Sequence, residues 1–151
     1  MFDIIKCAAD AKSYGFGRFY QYEEAKGRIA TAENAVAASE LKNRKALVML
    51  RDWKFDEGAI KVIAEKRKAC FLIDLSAIIR SRGTRRAVEM SKLRNFLRLC
   101  VKHGAFYAFA SFAEKEGEIR SPEELEHIAM LLGLNRGQAG FALDMLKEYL
   151  E

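Results

Sequence analysis

The sequence predicts an α/β fold built on a largely parallel sheet. Three short, continuous apolar runs, at residues 45–51, 69–75 and 105–111, have the character of strands that are covered on both faces. Helical patterns separate these runs, and regular alternation of strand and helix indicates βαβ units. With 151 residues and no Gly/Ser-rich linker, the chain is expected to form one domain over residues 1–151. It is too short for a full eight-unit barrel, which needs at least ~200 residues.

The amino-terminal third has the weaker patterns. Residues 3–14 carry apolar positions at helical spacing and precede Gly15, which predicts a helix that ends at that glycine. Residues 16–22 are rich in aromatic side chains and predict a strand. In residues 23–44, a short strand near 28–32 and a helical turn near 33–41 are both possible.

The remaining helices are indicated by their capping residues. Asp56, Ser121 and Asn135 can each accept hydrogen bonds from the first turn of a helix, and Gly104 and Gly133 can end one. The predicted helices span residues 57–67, 85–103, 122–132 and 135–150.

Composition restricts the class of protein. Half of the residues are apolar and 31% are charged, the net charge is +5, and the pI is about 9.2, a balance that mildly favours polyanionic partners. No apolar run is long enough for a membrane helix and the first residues do not resemble a signal peptide, so a cytoplasmic protein without a membrane partner is expected. Three scattered cysteines predict buried, reduced thiols and no zinc site.

An arginine-rich segment is the strongest candidate site. Arg80, Arg82, Arg85 and Arg86 fall in a predicted loop around Gly83, just after the strand at residues 69–75. Ligands of open α/β sheets bind at the carboxyl ends of the strands, and guanidinium groups suit phosphate oxygens. The alternative is that these basic residues form an ordinary solvated surface that binds no ligand. The following helix continues the basic surface, and its RNA-binding candidates are Arg94 and Arg98.

Catalytic residues are harder to find. The chain has only two histidines, His103 and His127, and neither lies near a strand end with carboxylates around it. Asp52 and Asp74 near strand ends could ligate Mg²⁺, but strand-terminal aspartates are more often caps or hydrogen-bond acceptors. We therefore predict no catalytic residue and no metal bound by the protein.

The second half resembles a known family. The segments that carry the resemblance are IDLSAIIR at 73–80, Arg85-Arg86, LCVKH at 99–103, SFA at 111–113, IRSPEEL at 119–125, LLGL at 131–134 and Gln138-Ala139. In this order and spacing, over about residues 69–146, they resemble the RNase P 30-kilodalton-subunit family, whose archaeal members are called protein component 3. The first half matches only loosely.

The resemblance implies a TIM-barrel-like fold and a role in transfer-RNA maturation. Such a subunit binds RNase P RNA together with a small ferredoxin-like protein subunit, and the RNA uses Mg²⁺ to remove the 5′ leader from precursor tRNA. Ser111 and Arg120 would join the arginines of residues 80–86 at the RNA-binding rim. The chain departs from the family in that its first predicted element is a helix with no preceding strand. The expected barrel is therefore shortened or incomplete, with an open edge that self-association or the partner subunit would cover.

Two other functions are also compatible with the sequence. One is a small metal-dependent phosphoesterase of the related barrel superfamily. The other is an interaction module whose basic face contacts an acidic protein.

Overall fold

The computed structural model describes residues 1–151 and contains six strands, all parallel to their neighbours. The strands are β1 Phe2–Ile5, β2 Arg18–Gln21, β3 Ile29–Ala32, β4 Leu47–Leu50, β5 Cys70–Asp74 and β6 Phe106–Ala110. The helices are α1 Tyr22–Ala25, α2 Ala35–Ala38, α3 Glu57–Lys66, α4 Ser76–Arg80, α5 Gly83–His103, α6 Pro122–Leu131 and α7 Arg136–Leu150. None of these helices is both long and apolar enough to cross a membrane.

The strands form an open, barrel-like arrangement. Strands β3, β4, β5 and β6 pair in chain order, and β1 pairs with β2 in a separate ladder. The last strand approaches the first: the amide of Phe112 donates to the carbonyl of Ile4 at 2.9 Å, and that of Lys6 donates to the carbonyl of Ala113 at 2.8 Å. No ladder joins β2 to β3. The α/β prediction of a shortened, incomplete barrel is therefore confirmed, and its opening lies between β2 and β3.

The predicted helix over residues 3–14 is wrong. Residues 2–5 form β1, and the helical part is a single 3-10 turn, Ala11–Tyr14, which Gly15 ends with φ +89°. The consecutive Ile4 and Ile5 explain the difference, because β-branched side chains suit a strand covered on both faces, and both isoleucines are fully buried. The expectation that no strand precedes the first helix is wrong for the same reason.

Most other elements agree with the sequence patterns. The doubtful region contains both predicted pieces, a strand at Ile29–Ala32 and a helical segment made of α2 and the 3-10 turn Ser39–Leu41. All three predicted caps are present; Asn135 forms a reciprocal capping box with Gln138. The amide of Leu134 bonds back to Ala129, so the glycine between α6 and α7 lies in a tight turn.

The predicted loop over residues 80–86 is mostly helical. Residues 76–80 form α4, and α5 begins at Gly83, so only Ser81 and Arg82 connect the two helices. The Asp74 carboxylate starts α4 by accepting a hydrogen bond from the amide of Ser76 at 2.8 Å.

Two apolar layers cover the two faces of the sheet. The larger layer lies between the strands and helices α3, α5, α6 and the first half of α7, and it contains Phe71 and Phe96. Trp53, in the segment after β4, packs edge-on against Phe96 at a centroid distance of 4.9 Å. On the other face, Met145 and Leu146 of α7 pack with β-strand residues such as Leu72.

A buried carboxylate links the first strand to the last. Asp3 of β1 is fully buried, and it accepts hydrogen bonds from the Ser111 amide at 2.7 Å, the Ser111 hydroxyl at 2.6 Å and the Ile4 amide at 2.8 Å. Burial raises the pKa of Asp3 to about 6, although the hydrogen bonds from Ser111 and Ile4 act in the opposite direction. The contact supplements the few backbone hydrogen bonds that join β1 to the end of β6.

Candidate nucleic-acid interface

The arginines of residues 80–86 lie at the carboxyl end of β5, but they are not equivalent. Arg82 and Arg85 are exposed and form no ion pair or side-chain hydrogen bond. Gly83, between them, has φ +57°, and no atom lies within 4 Å of the position that a side chain would occupy there. A ligand could therefore approach this turn closely. Arg82 and Arg85 are the two guanidinium groups of the segment that are free to meet a phosphate.

Arg80 is already occupied by an ion pair. Its Nε and Nη2 donate to the two carboxylate oxygens of Glu118 at 2.7 and 3.1 Å, and Nη2 lies 3.7 Å from a carboxylate oxygen of Glu114. The pair raises the pKa of Arg80 and lowers that of Glu118, because each charge favours the other. Arg80 also donates to the carbonyl of Phe112 at 3.4 Å, so it anchors the segment that follows β6. Contact with RNA would have to compete with these bonds.

Arg86 is turned towards the protein. Its Nε donates to the carbonyl of Ile78 at 2.9 Å, and its Nη2 donates to that of Ile79 at 3.4 Å. These carbonyls belong to α4, whose last turn leaves carbonyl groups without helical partners. Arg86 therefore stabilises the junction of the two helices.

Farther along α5, the basic surface is partly neutralised. The guanidinium of Arg94 donates to the carbonyl of Leu131, whereas Arg98 is exposed and unpaired. Both line a cavity of about 320 Å³ beside the turn between α6 and α7. Near the end of α5, the carboxylate of Glu57 from α3 lies 2.6 Å from the ammonium of Lys102 and 2.9 Å from the imidazole of His103.

Two residues assigned through the family resemblance lie elsewhere than expected. Ser111 is 1% exposed and its hydroxyl is bound to Asp3, so this fold holds its side chain inside the protein and not at the expected rim. Arg120 is half-buried, and its guanidinium donates to the carbonyls of Gly117 and Ile119 and lies 3.7 Å from Glu124. Sequence spacing could not distinguish a polar residue facing outwards at a strand end from one that links two strands.

The candidate metal ligands do not converge. No group of three or more His, Cys, Asp or Glu side chains is arranged to hold a metal ion. Asp52 and Asp74 instead accept hydrogen bonds from the amides of Lys54 and Ser76, as turn-forming aspartates do. All three cysteines are free thiols, and Cys7 is half-buried rather than buried as predicted.

A second group of cations was not predicted. Arg44 and Lys45 precede β4, and Arg67 and Lys68 precede β5. The amino ends of parallel strands lie at the same end of the sheet, so these cations lie together at the end opposite to Arg82. In the sequence, this group could have been detected as a basic pair placed just before each of two successive buried strands, β4 and β5.

Comparison with known proteins reveals a similarity of fold. The sequence matches no protein-family model and no curated protein. A similar solved structure is the cryo-EM structure of archaeal ribonuclease P with mature tRNA. The similarity covers 99% of this chain and 78% of the matched chain, with a TM-score of 0.68 and 16% sequence identity. A shared fold over nearly the whole chain follows from it.

Proposed function

We propose that this chain is a protein subunit of ribonuclease P that binds the RNase P RNA. The main support is the shared fold with a chain of an archaeal ribonuclease P, which extends over 99% of the residues. The resemblance of residues 69–146 to the 30-kilodalton-subunit family points to the same assembly. In this proposal the RNA component, with its Mg²⁺, removes the 5′ leader of precursor tRNA, and the protein supplies no catalytic group.

The surface that we assign to RNA centres on the connection between α4 and α5. Arg82 and Arg85 are exposed and carry no competing carboxylate, so each can form a charge-assisted, two-pronged contact with a phosphate. No side chain caps the amino terminus of α5. The free amides of its first turn therefore add to the attraction for an anion. Arg98 extends the surface along α5, and Arg80, Arg86, Arg94 and Arg120 mainly support its shape.

The finer assignment is protein component 3, acting in the cytoplasm with a small ferredoxin-like subunit. The opening between β2 and β3 leaves two strand edges without a sheet partner. Such edges favour association with another chain, either the partner subunit or a second copy of this one. A co-purification of the two subunits with and without RNase P RNA would identify the pairing.

Filter binding to RNase P RNA at several salt concentrations tests the assigned surface. The double variant Arg82→Gln/Arg85→Gln is expected to bind more weakly and to reduce the slope of log affinity against log salt by up to ~1 for each lost phosphate contact. The reason is that each neutralised phosphate releases condensed counterions, and the variant neutralises fewer.

The matched control is Lys12→Gln/Lys61→Gln, which removes the same number of positive charges from exposed positions that form no ion pair and lie on elements other than α4 and α5. We expect it to retain the wild-type slope. Equal slopes for all three proteins would remove the assigned surface. Absence of wild-type binding to RNase P RNA, in the presence of the partner subunit, would contradict the proposed function itself.

A further inference from the structure

Two adjoining cavities lie at the amino ends of the strands, opposite to the α4–α5 connection. The larger, of about 500 Å³, is lined by Lys45, Arg67, Lys68, Phe106 and Tyr149, among others. The smaller, of about 310 Å³, adds Arg28 and Arg44 and shares Lys45, Glu148 and Tyr149 with the first. The larger volume falls within the usual range of small-molecule sites. We call the pair of cavities the amino-end site.

The amino-end site brings together cations that form no ion pair within the protein. Its five basic side chains are all exposed and form no ion pair; they are Arg28, Arg44, Lys45, Arg67 and Lys68. Two carboxylates line the site. Glu151 is bound to Arg18 and to the hydroxyl of Tyr20, so Glu148 is the one acid there that can offset the five cations. By contrast, Arg80 and Lys102 of the other basic cluster are paired with Glu118 and Glu57. An excess of unpaired positive charge in a concave site attracts an anionic ligand.

Aromatic rings form part of the wall between these cations. The hydroxyl of Tyr149 donates to the carbonyl of Lys68 at 2.5 Å, which fixes its ring at the amino end of β5. The ammonium of Lys45 lies 5.6 Å from the centre of that ring. The guanidinium of Arg67 lies 5.3 Å from the centre of the Phe106 ring. Planar rings and a stacked guanidinium beside unpaired cations are the features that single-strand-binding proteins use for bases and phosphates.

We propose that the amino-end site binds a single-stranded RNA segment. The lysines and arginines contact its phosphates, and one base enters the larger cavity beside Phe106 and Tyr149. Glu148 is placed to accept a hydrogen bond from a ribose hydroxyl or a base amino group. The site is separate from the surface around Arg82, because it lies at the other end of the same strands. It requires neither RNase P RNA nor a partner subunit.

The test uses the full chain and a fluorescently labelled oligouridylate, with binding followed by fluorescence anisotropy at several salt concentrations. The variant Lys45→Gln/Lys68→Gln is compared with Lys12→Gln/Lys61→Gln, which has the same residue types and the same charge change. We expect the slope of log affinity against log salt to become less steep by about 1.4 in the first variant, because each of the two lost single-strand phosphate contacts accounts for ~0.7. We expect the second to keep the wild-type slope.

Phe106→Leu, checked for folding by its thermal transition, probes the base contact. Loss of one stacking partner is expected to weaken oligouridylate binding by about fivefold or more. Unchanged affinity in this variant would overturn the placement of a base in the larger cavity.

Identical slopes for the two lysine variants, or no binding of oligouridylate by the wild-type protein, would overturn the amino-end site. So would a loss of oligouridylate binding confined to Arg82→Gln/Arg85→Gln, because the surface at the other end would then account for all of it. None of these results bears on RNase P RNA binding with the partner subunit, so the amino-end site and the proposed function can fail separately.

Discussion

Replacing Phe96 with alanine is expected to cost about 3–5 kcal/mol of unfolding free energy, the usual range for a fully buried phenylalanine. Phe96 is 0% exposed and lies at the centre of an aromatic group on the inner face of α5. Its ring meets Trp53 and Phe71 edge-on, each at a centroid distance of 4.9 Å. The residue therefore joins three parts of the fold: α5, β5 and the segment after β4. Its removal leaves a cavity that these rigid elements cannot close completely.

Urea denaturation measures this loss, and Val88→Ala is the matched control because Val88 lies on the same helix but is 47% exposed. The control is expected to change the unfolding free energy by no more than ~0.5 kcal/mol. Phe96→Leu should fall between the two, since it restores part of the lost volume. A loss below ~1 kcal/mol in Phe96→Ala would mean that the packing between α5 and the sheet is not the main core of the protein.

The elements that the sequence predicted correctly are those whose cause is local. The strands β4, β5 and β6 are short apolar runs buried on both faces, and the caps at Asp56, Ser121 and Asn135 act within one helical turn. The short helix α4 was missed, although its local signal, the carboxylate of the aspartate that ends β5, was present.

The candidate site was predicted less well, because its properties depend on partners distant along the chain. Arg80 is bound to Glu118, 38 residues away, and Lys102 is bound to Glu57, 45 residues away. A charge pattern read along one helix cannot reveal either neutralisation. When the paired side chains are excluded, the basic residues of this region leave only a small exposed surface around Arg82. A second basic surface forms where the basic pairs that precede β4 and β5 meet at the amino ends of the strands.

The N-terminal strand, β1, illustrates the same limit. Strand β1 has four residues, and its pairing with β2 and its contact with the end of β6 are not visible in its own sequence. Its only charged side chain, Asp3, is among the buried polar residues of the protein. An aspartate buried with three hydrogen-bond donors and no cation is stabilised by those donors but destabilised by the loss of water.

Asp3→Asn is therefore expected to become more stable relative to the wild type as pH rises. The pKa of Asp3 is about 6 in the folded protein, against an ordinary value of 3.8. Between these values the folded state binds more protons than the unfolded state, so the contribution of Asp3 to stability is fully present below about pH 4 and is lost as pH rises to about 6. The difference of about two pKa units corresponds to roughly 3 kcal/mol. Asparagine can accept the same amide hydrogen bonds and donate to the Ser111 hydroxyl, without a charge.

The measurement is the unfolding free energy of both proteins from pH 4 to pH 7, with Asp52→Asn as the control for an exposed, turn-forming aspartate. Groups shared by the wild type and the variant cancel in the difference, including Glu57, whose pKa is lowered to about 2 mainly by Lys102 and His103. Asp3→Ala separates charge from hydrogen bonding, because it leaves the Ser111 amide without its acceptor and should be destabilised throughout the range. A stability difference between Asp3→Asn and wild type that stays constant from pH 4 to pH 7 would show that Asp3 ionises as it would in water, and β1 would then not be closed against β6 as described.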